Sequence, residues 1–265
     1  MINQTLEQEQ IVRIASSIGN GAHIFVPKEW LNEELIIIRK PKKSTNEQIL
    51  SSLSPYLSKI KGIYLYGSQA RKESSPNSDI DILVITSEKI KIKIEGFEII
   101  CLREEDISKA IQISPLLVYS ILKEAIPILN SELLKKLQNT KIKSEYFKEY
   151  ITETERLIKI NSEFLEEDKD YVSNAVLYSI LLRLRGILII NFLLNKKEYS
   201  NKLFENWLNS NITELKTRHI YEIYRKLRDS VPLNKKEKIK KSSAQILLSF
   251  LEQECSKLKE KLKND

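Results

Sequence analysis

Apolar positions along the chain change their period twice. From Ile11 to Arg39 they come in short runs: Ile11-Val12-Arg13-Ile14, Ala22-His23-Ile24-Phe25-Val26 and Leu35-Ile36-Ile37-Ile38. Gly19-Asn20-Gly21 and Pro27-Lys28-Glu29-Trp30 separate them. β-Branched and aromatic enrichment with glycines in the turn predicts a small sheet. Lys40 to Ser44, containing Pro41, reads as a connector. Between Thr45 and Asn139 the order is mixed α and β. A helix is expected over Asn46–Lys59, with a Ser-Pro interruption at Ser54-Pro55. Strands are expected at Ile63–Tyr66, Asp79–Thr86 and Phe97–Leu102, helices at Glu104–Gln112 and Pro115–Ala125, a short extended piece at Ile126–Leu129 and a closing helix at Glu132–Leu137. From Lys143 onward apolar residues recur at three and four, as in Leu157, Ile160, Phe164 and Leu165. That period predicts an antiparallel bundle of four or five helices near 144–168, 171–195, 200–209, 213–229 and 237–262, with Pro232 between the last two.

Three segments follow: a β-rich extension over 1–43, a mixed domain over 44–140 and a helical bundle over 141–265. The expected class is α+β, a mixed β-sheet with flanking helices followed by an all-α bundle. The 265 residues suffice for one large domain or two modest ones. The longest apolar candidate, Ile180 to Leu194, is broken by Arg183, Arg185 and Asn191, so no membrane span is expected. A polar, acidic N-terminus argues against a secretory signal, and two distant cysteines, Cys101 and Cys255, against a disulfide framework or zinc site. A cytoplasmic protein is the expectation. The net charge of +7 is concentrated after residue 140, where 25 Lys and Arg face 19 Asp and Glu. That excess suits a polyanion such as RNA, but a solvated helical surface accounts for it more simply.

The chemistry lies in Tyr64-Leu-Tyr-Gly67-Ser68-Gln-Ala-Arg71, followed by Ser78-Asp79-Ile80-Asp81. An apolar strand ends at a Gly-Ser pair that opens a short helix. Glycine lets the backbone approach a phosphate, and N–H groups at a helix start favour anions. Arg71, one turn on, can add a charge-assisted bond to a triphosphate oxygen. Asp79 and Asp81 share one face of a strand while Ile80 and Ile82 enter the core. Two carboxylates roughly 6.6 Å apart by strand rise can converge on a hard divalent ion, and without one they repel.

These residues resemble the signature of the DNA polymerase β-like nucleotidyltransferase superfamily, Gly-Ser, ten residues, then Asp-x-Asp. Its minimal and kanamycin-type members read Gly-Ser-Arg-Ala-Arg-Gly followed by Ser-Asp-Ile-Asp-Leu. The present chain departs at Gln69 and Lys72 and keeps Ala70, Arg71, Ser78, Asp79, Ile80 and Asp81. The resemblance implies that Gly67, Ser68, Arg71 and Ser78 bind nucleotide, and that Asp79 and Asp81 hold metal. It also implies a third carboxylate on a neighbouring strand that ligates metal or takes the proton of the acceptor hydroxyl. Glu98 is the candidate, with Glu95 in reserve, and a salt-bridged Glu98 without catalytic duty is the competing reading. The implied reaction is in-line attack of an acceptor hydroxyl on the α-phosphorus of an NTP, ATP above all, with two Mg²⁺ or Mn²⁺ ions and release of pyrophosphate. The acceptor is a small molecule, a protein or an RNA.

The bundle resembles the C-terminal helical domains of kanamycin-type enzymes and the HEPN domains paired with minimal ones, through Tyr178, Arg183 and Arg185 and through Tyr221, Tyr224, Arg225, Arg228 and Asp229. No histidine follows an arginine at the HEPN ribonuclease spacing. These arginines line a cleft or simply coat a solvated helix, the latter being favoured. Residues Gly19 to Trp30 loosely resemble AbrB-like swapped hairpins, which implies a homodimer and DNA contact through this segment; an edge addition to the core sheet is the alternative. His23 is read as structural and Trp30 as a packing anchor. Against the enzyme stands a second class, a catalytically weak, antitoxin-like module that binds DNA or a partner through its N-terminal arm and bundle.

Overall fold

The structure, a computed structural model, describes residues 9–38, 44–74, 78–234 and 237–264. They fall into two compact units, Met1–Ser44 and Thr45–Asp265. In the first unit β1 (Ser16–Ile18) and β2 (Gly21–His23) form a two-stranded antiparallel hairpin, with Ile18 paired to Gly21 and a left-handed Gly19 (φ +51°) in the turn. The expected strands at Ile11–Ile14 and Leu35–Ile38 carry no regular secondary structure and join no ladder. β-Branched composition favours extended backbone, but a strand also needs a neighbour to accept its hydrogen bonds. Trp30 is half-buried in a 3₁₀ turn and donates its indole N–H to Glu9 at 3.0 Å, rather than anchoring a core. Phe25, Leu31, Ile36 and Ile38 are exposed. Lys40–Lys43 of the expected connector lie outside the described residues.

The second unit opens with α1 (Thr45–Leu53), which passes into a 3₁₀ turn at Ser54 because Pro55 cannot continue the helix ladder. β3 (Ile60–Leu65), the one-turn α2 (Gly67–Ala70), β4 (Ile80–Thr86) and β5 (Phe97–Arg103) follow. Then come α3 (Ile107–Ile113), α4 (Pro115–Glu124), β6 (Ile126–Leu129) and α5 (Ser131–Gln138). The sheet order is β5-β4-β3-β6, with β4 antiparallel to β3, parallel to β5, and β6 antiparallel to β3. The fold class is thus α+β with a mixed sheet.

Strand alternation sends the two faces to different cores. Ile63, Leu65, Ile82 and Val84 pack with Ile49 and Leu53 of α1. Tyr64, Leu83 and Ile85 face the other way and join α3–α5 in a cluster that continues into the helices beyond residue 144. Those helices are α6 (Lys148–Glu167), α7 (Asn174–Leu194), α8 (Asn201–Asn211), α9 (Thr217–Arg228) and α10 (Lys241–Asn264). Sheet and bundle therefore share one continuous apolar core. α7 is its centre, with Ile180, Leu181, Leu184, Ile187 and Ile190 fully buried. Contrary to the expectation from its interrupting polar residues, α7 is long and apolar enough by composition to cross a membrane; most of it is buried inside the unit, as in the core helix of a bundle.

Candidate functional site

β3 delivers the chain to Gly67 at the edge of a cleft of about 2290 Å³. One wall is the end of β3–β5, and the other is built from α7, α9 and the start of α8. Gly67 adopts φ +73°, and a Cβ built there would lie 1.9 Å from Oδ2 of Asp81. Both the backbone sign and the close carboxylate require glycine. After α2 the chain turns with Glu73 N–H donating to Ser68 C=O at 2.8 Å and Lys72 N–H to Gln69 C=O at 3.1 Å, a Schellman closure. It places Lys72 at φ +58°, the left-handed position where the resembling enzymes carry glycine.

All seven residues expected from the sequence line this one cleft: Gly67, Ser68, Arg71, Ser78, Asp79, Asp81 and Glu98. Asp79 precedes β4 and is exposed, whereas Asp81 lies within the strand and is half-buried. Glu98 pairs in register with Asp81 across the parallel β4–β5 ladder, so the two side chains emerge on the same face. Tyr66 N–H donates to the Asp81 carbonyl at 3.0 Å, which fixes the Gly-Ser turn against the acidic strand.

Burial, followed by the charge of Glu98, raises the Asp81 carboxyl from its ordinary value to about 6, against the opposing Ser68 N–H and Arg71 charge. Tyr66 beneath is also pushed up, by burial and then by Asp81, Glu98 and Glu124. The site thus holds negative charge that its own groups do not neutralise. Among the described residues no three His, Cys, Asp or Glu side chains are gathered into a closed metal-binding group. Carboxylate oxygens on one face with an open side nevertheless fit Mg²⁺, which takes one or two carboxylates and completes its shell with water and substrate phosphates.

Two expectations change. The Gly67 N–H is not free: it donates to Oε1 of Glu124 on α4 at 2.9 Å. Arg71 does not project alone into the cleft. Its Nε donates to Glu73 at 3.0 Å and its Nη1 to Oε2 of Glu124 at 2.5 Å. Burial alone would weaken the guanidinium's hold on its proton, and Glu124 and Glu73 more than offset that. Glu73 in turn accepts from the backbone N–H of Asn201 at 3.0 Å and from its Nδ2 at 2.8 Å, reaching the first residue of α8. Sequence reading missed Glu73, Glu124 and Asn201. The one available signal was Glu124 itself, the single acid of a mostly apolar helix that packs against the core.

The bundle arginines are more than a solvated coat. Arg183, Arg185, Arg225 and Arg228 all line the cleft. Arg185 donates Nε–H to the Tyr199 hydroxyl at 2.9 Å and lies over that ring, with its guanidinium 5.2 Å from the centroid. Burial opposes its charge, and Tyr199, Tyr224 and Glu124 outweigh that opposition.

Residues 47–133 match the family model described as polymerase beta, nucleotidyltransferase. Curated proteins give no match. Among solved structures, the chain is similar to a spectinomycin adenyltransferase from Enterococcus faecialis, solved with ATP and spectinomycin: 17% identity over 80% of this chain and 100% of that one, TM-score 0.42. It is also similar to a nucleotidyltransferase-like protein from Exiguobacterium sibiricum, with 14% identity over 79% of this chain and 73% of that one, TM-score 0.34.

Proposed function

We propose, from the match of residues 47–133 to the polymerase beta nucleotidyltransferase model, that this chain moves the NMP group of an NTP, ATP foremost, onto an acceptor hydroxyl. The observation that carries the proposal is the register of Asp81 with Glu98, facing a Gly67-Ser68 turn that glycine alone can make. In this reading Gly67, Ser68, Ser78 and Arg71 bind the triphosphate. Asp79, Asp81 and Glu98 would hold two Mg²⁺ or Mn²⁺ ions, which when bound neutralise phosphate charge. Their support is the raised Asp81 carboxyl, which marks a place where a cation is stabilising.

Glu98, exposed at the cleft, takes the proton of the acceptor hydroxyl as that oxygen attacks the α-phosphorus and pyrophosphate departs. Arg225 and Arg228 meet the triphosphate or the acceptor from the opposite wall. The cleft is bounded by the sheet on one side and the helices on the other, which favours a small-molecule acceptor over a folded RNA.

Titration calorimetry with ATP tests the nucleotide half of the proposal. Binding is expected to require Mg²⁺ or Mn²⁺ and to lose its metal-dependent part in Asp81→Asn. Binding indifferent both to the cation and to Asp81 would contradict it.

A further inference from the structure

We infer that Glu124 is a resident stand-in for phosphate: its carboxylate occupies Arg71 and the Gly67 N–H, and the affinity for nucleotide is set by displacing it. The inference rests on the reading that Gly67 and Arg71 receive the triphosphate. The geometry is that of an anion already bound. One carboxylate oxygen accepts from Gly67 N–H at 2.9 Å and the other from Arg71 at 2.5 Å. These are the partners, at the spacing, that two oxygens of one phosphoryl group would take.

A purely structural pairing of Arg71 does not call for Glu124, since Glu73 already accepts from the same guanidinium at 3.0 Å. Two carboxylates share one guanidinium, and Asp79, Asp81 and Glu98 line the same cleft, so negative groups outnumber the cation that Glu124 holds. Its charge adds to the repulsion that Asp81 feels. Glu124 also has an alternative partner: the partly buried Arg185 feels its attraction across the cleft and hydrogen-bonds Tyr199 through Nε. A triphosphate arriving with its cation replaces the carboxylate on Arg71 and Gly67, and Glu124 turns toward Arg185. The exchange trades one charge-assisted pair for another, which keeps its cost low.

Direction of effect separates a stand-in from a support. The probe is Mg·ATP, titrated into wild-type protein, Glu124→Gln, Arg71→Ala and the double variant. An amide holds Arg71 less strongly than a carboxylate, so Glu124→Gln is expected to bind Mg·ATP about tenfold more tightly. That gain is expected to vanish when Arg71 is absent. If wild type binds and Glu124→Gln binds equally or more weakly, Glu124 is a support and the inference falls, while the triphosphate reading stands. If wild type does not bind Mg·ATP, or Arg71→Ala binds as well as wild type, the triphosphate reading itself falls. Should Glu124→Gln not fold, Glu124→Asp replaces it, keeping the charge but too short to reach both partners. It is expected to tighten binding by a smaller factor, and weaker binding would overturn the inference.

Discussion

At the scale of single residues, the turn between β3 and β4 stores strain in one place and electrostatic tension in another. Lys72 stands at φ +58° in the Schellman closure that brings Glu73 back over Arg71. A left-handed conformation costs a residue with a Cβ about 1–2 kcal/mol, so Lys72→Gly is expected to raise stability by roughly 0.5–1 kcal/mol after its own entropy loss, measurable by denaturant unfolding. The tension lies at Asp81, whose carboxyl is raised to about 6 from 3.8. Between those values the native chain holds a proton that the unfolded chain has released, so stability of the metal-free protein falls as pH rises through that window. Asp81→Asn is expected to remove this fall and to melt higher than wild type at about pH 7, with no gain at about pH 4. Mg²⁺ should raise the wild-type melting temperature at neutral pH and leave the variant unmoved. Part of this site was legible in the sequence, because alternation predicts a shared face for Asp79 and Asp81 and the family resemblance points to Glu98 on a neighbouring strand, whereas the register that sets Glu98 beside Asp81 emerges only from the fold. Glu124 was not, because its contact with Gly67 spans 57 residues and depends on how α4 crosses the sheet edge.

Among the elements, α7 makes the sharpest demand on its neighbours. It crosses α6 at Gly186, where a Cβ would fall 1.8 Å from the hydroxyl of Tyr150. Tyr150 is fixed there by donating to the Arg183 carbonyl at 3.2 Å and by the Arg183 guanidinium 4.9 Å from its ring centre. Alanine would gain about 1 kcal/mol of helix propensity and lose more to overpacking, so Gly186→Ala is expected to be net destabilising by about 1–2 kcal/mol, again by unfolding. The helix order of the bundle could be read from the three-and-four recurrence, yet its burial could not. Arg183 and Arg185 look like interruptions on a solvated face, and the fold turns them into the cleft, where Tyr150 and Tyr199 cover them. The strands of Met1–Ser44 failed for the opposite reason. Ile11–Ile14 and Leu35–Ile38 carry strand composition without a partner to complete a ladder.

At the scale of the whole second unit, one polar chain ties the Gly67-Ser68 edge of the sheet to the bundle: Gly67, Glu124, Arg71, Glu73 and then Asn201 at the head of α8. Glu73 is the link that spans the cleft, holding Arg71 with one hydrogen bond and Asn201 with two. Glu73→Gln weakens all three and is expected to cost about 1.5–3 kcal/mol of stability, which thermal or denaturant unfolding would show. The shared core makes sheet and bundle respond together, so a single unfolding transition is expected for Thr45–Asp265. Function then depends on whether the carboxylates on one wall act on a nucleotide gripped from both. The most direct measurement follows label from α-³²P-ATP, in Mg²⁺ or Mn²⁺, onto the small-molecule fraction of a cell extract, for wild type and Asp81→Asn in parallel. Labelled product with stoichiometric pyrophosphate in the wild type, reduced to background by the single substitution, is the predicted result. Label transfer that survives Asp81→Asn, or no transfer and no nucleotide binding in the wild type, would contradict it.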